Sequence, residues 1–136
     1  MKITQIPLLR DNYGYLVVCE KTNLAAIVDP SEADPVLRRV EQEKVELVAI
    51  LNTHHHRDHT GGNEGLLARH KLAVYGHQSD RNRIAGLTNG VDDRDEILIR
   101  LHQFDETGND EKASDQNTQR HQNSVRFFHD AASSGK

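Results

Sequence analysis

The run Leu47-Val48-Ala49-Ile50-Leu51 is apolar without a break. A strand that alternates can leave one face in water, but this one cannot. A continuous run of this kind is buried on both faces, as strands of parallel sheets are. It therefore demands a layered fold with cover on each side, which fits an α/β (α+β) architecture. The chain leaves this strand directly into Asn52-Thr53-His54-His55-His56-Arg57-Asp58-His59-Thr60-Gly61-Gly62-Asn63. A polar, histidine-rich loop thus sits at the carboxyl end of a buried strand, where such sheets place their sites.

The flanking sequence supplies the other layers. Residues 2–7 alternate as a short strand. Residues 13–19 and 24–28 are two apolar runs joined by Glu20-Lys21-Thr22-Asn23, which suits a hairpin loop. Ser31-Glu32-Ala33-Asp34 has the spacing of a capping box, with Pro35 in the first turn. Val36, Leu37 and Val40 then share one helical face, predicting an amphipathic helix to about Glu43. After the histidine loop, residues 62–70 predict a helix with Leu66 and Leu67 facing in. Residues 72–75 predict a strand ended by Gly76, and residues 78–84 fit helix or loop. Gly86 and Asn89-Gly90 mark turns, and residues 96–99 predict a last strand. The organised part spans residues 1–99. Residues 100–136 turn polar and aperiodic and predict a disordered tail. All three phenylalanines lie in this tail, and Phe127-Phe128 marks a short docking helix near residues 124–131.

Four of the nine histidines fall within the six residues 54–59. His54 and His56 are two apart, so in an extended segment their rings point the same way and His55 points the other. Asp58 and His59 follow at a turn that Gly61-Gly62 permits. The pattern H-x-H-x-D-H offers imidazole nitrogens and a carboxylate, the donors that zinc and similar divalent ions take. A solvated polar turn explains neither the spacing nor the position at a strand end. His55 is expected to pack or hydrogen-bond behind the loop. His70, His77, His102, His121 and His129 have no ligand-like spacing and read as surface residues.

Composition narrows the function. The chain has 136 residues and a net charge of −4, which gives no basis for a nucleic-acid binder. The single cysteine, Cys19, excludes an internal disulfide and fits a reducing compartment. It closes an apolar run and reads as a small buried hydrophobe. No apolar run approaches the ~20 residues that span a membrane. No signal or transit peptide is evident, so a cytoplasmic protein is expected, with mitochondrial residence as the alternative.

Thr53-His54-His55-His56-Arg57-Asp58-His59 resembles the signature loop of the metallo-β-lactamase superfamily. Asp11-Asn12-Tyr13-Gly14-Tyr15-Leu16, Ala26-Ile27-Val28-Asp29-Pro30, Gly61-Gly62-Asn63, Val74-Tyr75-Gly76, Arg83-Ile84 and Leu87-Thr88 resemble its glyoxalase II branch, the hydroxyacylglutathione hydrolases. The resemblance implies the first half of an αββα sandwich. It implies hydrolysis of a glutathione thioester, S-lactoylglutathione, to glutathione and lactate. It also implies two metal ions, zinc with iron or manganese as alternatives. His54 and His56 would ligate the first ion and Asp58 and His59 the second, the latter pair counted as catalytic.

The family's later motifs, a T-P-G-H-type segment with a third histidine, a bridging aspartate and a further histidine, are not recognisable after Ile99. Two donors per ion make an open site. The chain is accordingly expected to bind metal weakly, with one ion, and to show little thioesterase activity. It would also expose an apolar sheet face suited to self-association. Three readings stand: a glutathione-thioester hydrolase; a truncated, inactive product that binds metal weakly or pairs with a partner; and another superfamily chemistry, such as a persulfide dioxygenase with one iron.

Overall fold

The computed structural model describes residues 1–100 and 124–127, with side chains described for residues 1–97. Six strands form one sheet in the order β1 (Lys2–Leu8), β2 (Asn12–Cys19), β3 (Leu24–Val28), β4 (Glu46–Leu51), β5 (Ala73–His77) and β6 (Asn89–Val91). The first three strands are antiparallel, and β3 through β6 are parallel. The continuously apolar run is thus a central strand, β4, paired on both sides. Parallel neighbours need crossovers. Helix α1 (Ala33–Glu43) connects β3 to β4, and the short helices α2 (Arg57–Thr60) and α3 (Asn63–Leu67) lie between β4 and β5.

Successive parallel strands are added in one direction, so crossovers of one hand stack their helices on one face. Val36 and Val40 of α1 and Leu66 of α3 pack there with Ile6, Leu8, Leu16, Ile27, Ile50 and Val74, all buried. A smaller cluster of Leu24, Ala26, Ala49 and Leu51 lies apart from it, with Val28, Tyr75 and Ile97 packed against it. Ile3, Tyr13 and Tyr15 alternate with the buried positions of β1 and β2 and are 59%, 48% and 40% exposed. Among the described residues no helix is long and apolar enough to cross a membrane.

Several sequence expectations change on contact with tertiary structure. Ser31 does not cap α1. The N-cap is Glu32, without a side-chain cap bond, and Ser31 instead donates its hydroxyl to the Asp58 carbonyl. The helix expected over 62–70 is only Asn63–Leu67, preceded by the single turn of α2. Gly76 does not end its strand, and Asn89-Gly90 is not a turn. Both glycines pair, Gly76 opposite Gly90, in a parallel ladder on the open edge of β5. Residues 78–84 begin with a 3-10 turn at Gln78–Asp80. The last strand, β7 (Ile97–Arg100), pairs antiparallel with β8 (Ser124–Phe127). Residues 124–127, expected to be helical, are therefore a strand. Val125 and Phe127 follow a period of two, and the segment is too short for helical periodicity to compete. Residues 128–131 of that expected helix, and the tail residues 101–123 and 128–136, lie outside the described residues, as do His102, His121 and His129.

Gly61 and Gly62 serve packing rather than a special turn. Their φ values are −59° and −86°, within reach of any residue. What they permit is contact. A Cβ on Gly62 would lie 2.6 Å from the Pro30 carbonyl oxygen, and one on Gly61 would lie 2.7 Å from that of Ser31. The Gly62 N–H donates to the Pro30 carbonyl at 2.7 Å. The histidine loop is thereby pressed onto the turn between β3 and α1. Gly62→Ala should destabilise the protein by about 1–3 kcal/mol, because backbone on both sides leaves no room to relax. A denaturant midpoint equal to the parent's would contradict this packing.

At the other end of α1, Glu43 accepts from Lys2 Nζ at 2.6 Å and from Thr4 Oγ1 at 3.0 Å. The bond from Lys2 holds the Glu43 carboxyl below its ordinary range. A lowered folded-state pKa stabilises above the unfolded value, and the gain is lost as pH falls through the folded one. Glu43→Gln should therefore cost roughly 0.5–1 kcal/mol at neutral pH, with the gap closing on acidification. Urea midpoints of both proteins across the acid range check this, and a gap independent of pH would rule it out.

Candidate metal centre

The loop begins where β4 ends. Asn52 extends the ladder, its N–H donating to the Tyr75 carbonyl at 2.9 Å. Its buried side chain turns into the loop and meets Asn63. The Asn63 amide donates to Asn52 Oδ1 at 2.7 Å and to the Ala85 carbonyl at 3.3 Å. The Asn52 amide reaches the His59 carbonyl at 3.2 Å. This amide pair joins the start and end of the loop in the protein interior, where unpaired amides would be costly.

Asp29 is the second tether, and it was missed as a site residue. Its sequence context reads as a strand terminator, and nothing local announces a carboxylate that reaches across to another loop. It adopts a left-handed backbone, φ 48°, which aspartate tolerates better than most residues. Its carboxylate is buried. Oδ1 accepts from the Thr53 N–H at 2.8 Å, and Oδ2 accepts from Thr53 Oγ1 at 2.6 Å and from His59 Nδ1 at 3.1 Å. Asn12 supplies a third tether, donating to the Asp58 carbonyl at 2.7 Å and to Asp58 Oδ2 at 3.2 Å.

These bonds fix ring tautomers. His59 donates from Nδ1, so the neutral tautomer that fits this bond has its lone pair on Nε2. Thr53 gives its hydroxyl proton to Asp29, so at 2.9 Å its oxygen accepts from His54 Nδ1, and His54 Nε2 is likewise left free. The rings crowd together. The His54 centroid is 4.6 Å from that of His56 and 4.1 Å from that of His59. Asp58 Oδ2 stands 3.4 Å from His59 Nε2. Two lone-pair acceptors face each other there, an arrangement that a proton or a metal cation relieves. Burial pushes the His54 imidazole below the ordinary histidine range, with the neighbouring His59 adding to it. The Asn12 hydrogen bond holds the exposed Asp58 carboxyl low, so it is ionised. Three imidazoles and a carboxylate are donors of the kind that fit a borderline divalent ion such as zinc. Among the described residues, however, no three of these groups converge as a ready-made cage.

His54, His56, Asp58 and His59 are thus brought to one place. His55 points away, as expected, its Nδ1 3.1 Å from Asp80 Oδ1. His70 lies outside this cluster. His77 caps the 3-10 turn by accepting the Ser79 N–H. Cys19 is half-buried rather than fully buried, and bonding from the Thr22 hydroxyl lowers its thiol pKa.

Residues 10–115 match the metallo-beta-lactamase superfamily. The hydroxyacylglutathione hydrolase of Synechococcus sp. strain JA-3-3Ab is 57% identical over 89 residues, covering 65% of this chain and 35% of the relative. That of Pelagibacter ubique is 44% identical over 95 residues, covering 70% of this chain and 40% of the relative. The chain therefore spans well under half the length of these relatives. Among solved structures, BLEG-1 B3 metallo-beta-lactamase superposes with a TM-score of 0.65 at 22% identity, over 74% of this chain and 57% of that one. ETHE1 from Myxococcus xanthus gives 0.57 at 27% identity, over 76% and 45%. With its histidine loop at the end of a central parallel strand and a family match across most of its length, this chain belongs to the metallo-β-lactamase superfamily.

Proposed function

We propose that the histidine loop is the metal-binding part of a glutathione-thioester hydrolase, acting on S-lactoylglutathione or a close analogue. The observation that carries this reading is the crowding of His54, His56, Asp58 and His59, with the Nδ1 atoms of His54 and His59 engaged away from the cluster by Thr53 and Asp29. The names of the relatives that match this region supply the substrate class. His54 and His56 are offered to one ion and Asp58 and His59 to a second, zinc suiting all four donors. When bound, such ions polarise a carbonyl and make water nucleophilic at neutral pH. The chain's own residues hold the donors. Asp29 sets the tautomers of His54, through Thr53, and of His59. Asn12 keeps Asp58 ionised and oriented. A thiolate leaves readily, so the thioester needs no strong general acid.

A second reading concerns this chain by itself. Among the described residues the donors come in pairs rather than threes or fours. Paired donors hold an ion loosely, so the isolated chain binds metal weakly, with about one ion, and hydrolyses thioester slowly. Zinc titration of the purified chain, with metal content measured after dialysis and an S-lactoylglutathione assay alongside, tests both readings. The expected result is a chelator-labile ion, about one per chain, lost on His54→Ala or Asp58→Ala. Metal uptake indifferent to both substitutions would remove the site assignment. Two ions retained through dialysis, with fast turnover, would remove the weak-site reading.

A further inference from the structure

Behind the loop lies a cluster with no place in the chemistry above. Asp80 is a buried carboxylate, 6% exposed, at the end of the 3-10 turn. Its Oδ1 takes Arg83 NH2 at 2.6 Å and His55 Nδ1 at 3.1 Å. The other arm of the same guanidinium, NH1, reaches His55 Nε2 at 3.3 Å. The three side chains close a triangle. Arginine only donates, so His55 Nε2 accepts and the ring proton sits on Nδ1, facing Asp80. The triangle thus specifies one tautomer and one orientation of His55.

Burying a carboxylate is unfavourable unless it is paired and hydrogen-bonded, and here both partners are engaged. The backbone beneath is equally fixed. The Asp80 carbonyl accepts from the Arg83 and Ile84 N–H groups at 2.8 and 2.9 Å, and the Ile84 side chain is anchored in the main core. His55 is therefore bound to a rigid point. Its ring in turn meets the His56 ring edge-on, centroids 5.0 Å apart at 75°. The His56 ring then meets the His54 ring edge-on, centroids 4.6 Å apart.

We propose that Asp80 and Arg83 are positioning residues that clamp His55 and, through it, hold the His54 and His56 rings ready for a metal ion. This rests on the metal-site reading given above. Partners outside a ligand shell orient the ligands, and their loss lowers metal affinity by about 10–100-fold.

The test uses the full chain with zinc competed against a chromophoric chelator, together with imaging of the imidazole nitrogens by 15N NMR on metal-free protein. Asp80→Asn and Arg83→Lys should each weaken zinc binding about tenfold or more. In a His55→Ala background Asp80→Asn should add little further loss, because the clamp acts through that ring. Additive losses would instead mean that Asp80 acts on general stability, and would overturn the proposal. The NMR readout is independent of metal. His55 should carry its proton on Nδ1 in the parent chain and revert towards the commoner Nε2 form in Asp80→Asn. A parent His55 protonated on Nε2 alone overturns the clamp. Failure of the parent to take up zinc, with His55 in the Nδ1 form, would overturn the metal-site reading and leave the clamp standing as a tether of the loop.

Discussion

The Asp29 carboxylate receives three hydrogen bonds from both ends of the histidine loop, two from Thr53 and one from His59. The rest of the site depends on that anchor. It stands at the end of β3 in a left-handed backbone conformation, so the sheet itself sets its direction. Because β3 and β4 are parallel neighbours, their carboxyl ends lie side by side, and a short side chain from one reaches the loop of the other. An antiparallel pairing would have sent the two chain ends apart. The chemistry of the loop is thus inherited from the strand order, and the strand order follows from a central strand too apolar to accept water on either side.

The loop is gripped from several directions at once. Asn52 and Asn63 close it from inside, Asn12 and Ser31 hold the Asp58 carbonyl, and Pro30 and Ser31 lie against two glycines. Asp80 and Arg83 hold the back. This density of contact accounts for how His54, His56, Asp58 and His59 remain crowded together. It also orders the side chains, which on the metal-site proposal would lower the cost of assembling a coordination shell.

Much of the fold was legible in the sequence. The apolar run at residues 47–51, the hairpin of residues 13–28 and the helical face of Val36, Leu37 and Val40 each rest on periodicity, which is local. The closeness of His54, His56, Asp58 and His59 was legible because their spacing is local as well. His55 is engaged behind the loop, although by a bend at Thr53 and His54 rather than by strand alternation. What escaped notice depends on distant partners. Asp29 looks like a strand terminator until Thr53 and His59 are beside it. Ser31 looks like a helix cap until the Asp58 carbonyl competes for its hydroxyl. Asn89-Gly90 looks like a turn until the open edge of β5 recruits it. Gly61-Gly62 was recognised as necessary for the wrong reason, since the constraint is the approach of Pro30 and Ser31 rather than a positive φ.

The tethers of the loop bridge long stretches of chain: Asn12 to Asp58 spans 46 residues, Asp29 to His59 spans 30, and Ser31 to Asp58 spans 27. Contacts of such separation carry a chain-closure cost that local contacts do not. The orientation of the ring cluster therefore depends on the assembled sheet that brings Asn12, Asp29 and Ser31 to the loop. Any ion that prefers the ordered rings draws the equilibrium towards the completed structure. The loop is in this sense a proofreader of its own scaffold, registering whether the strands before and after it have been laid down in their proper order.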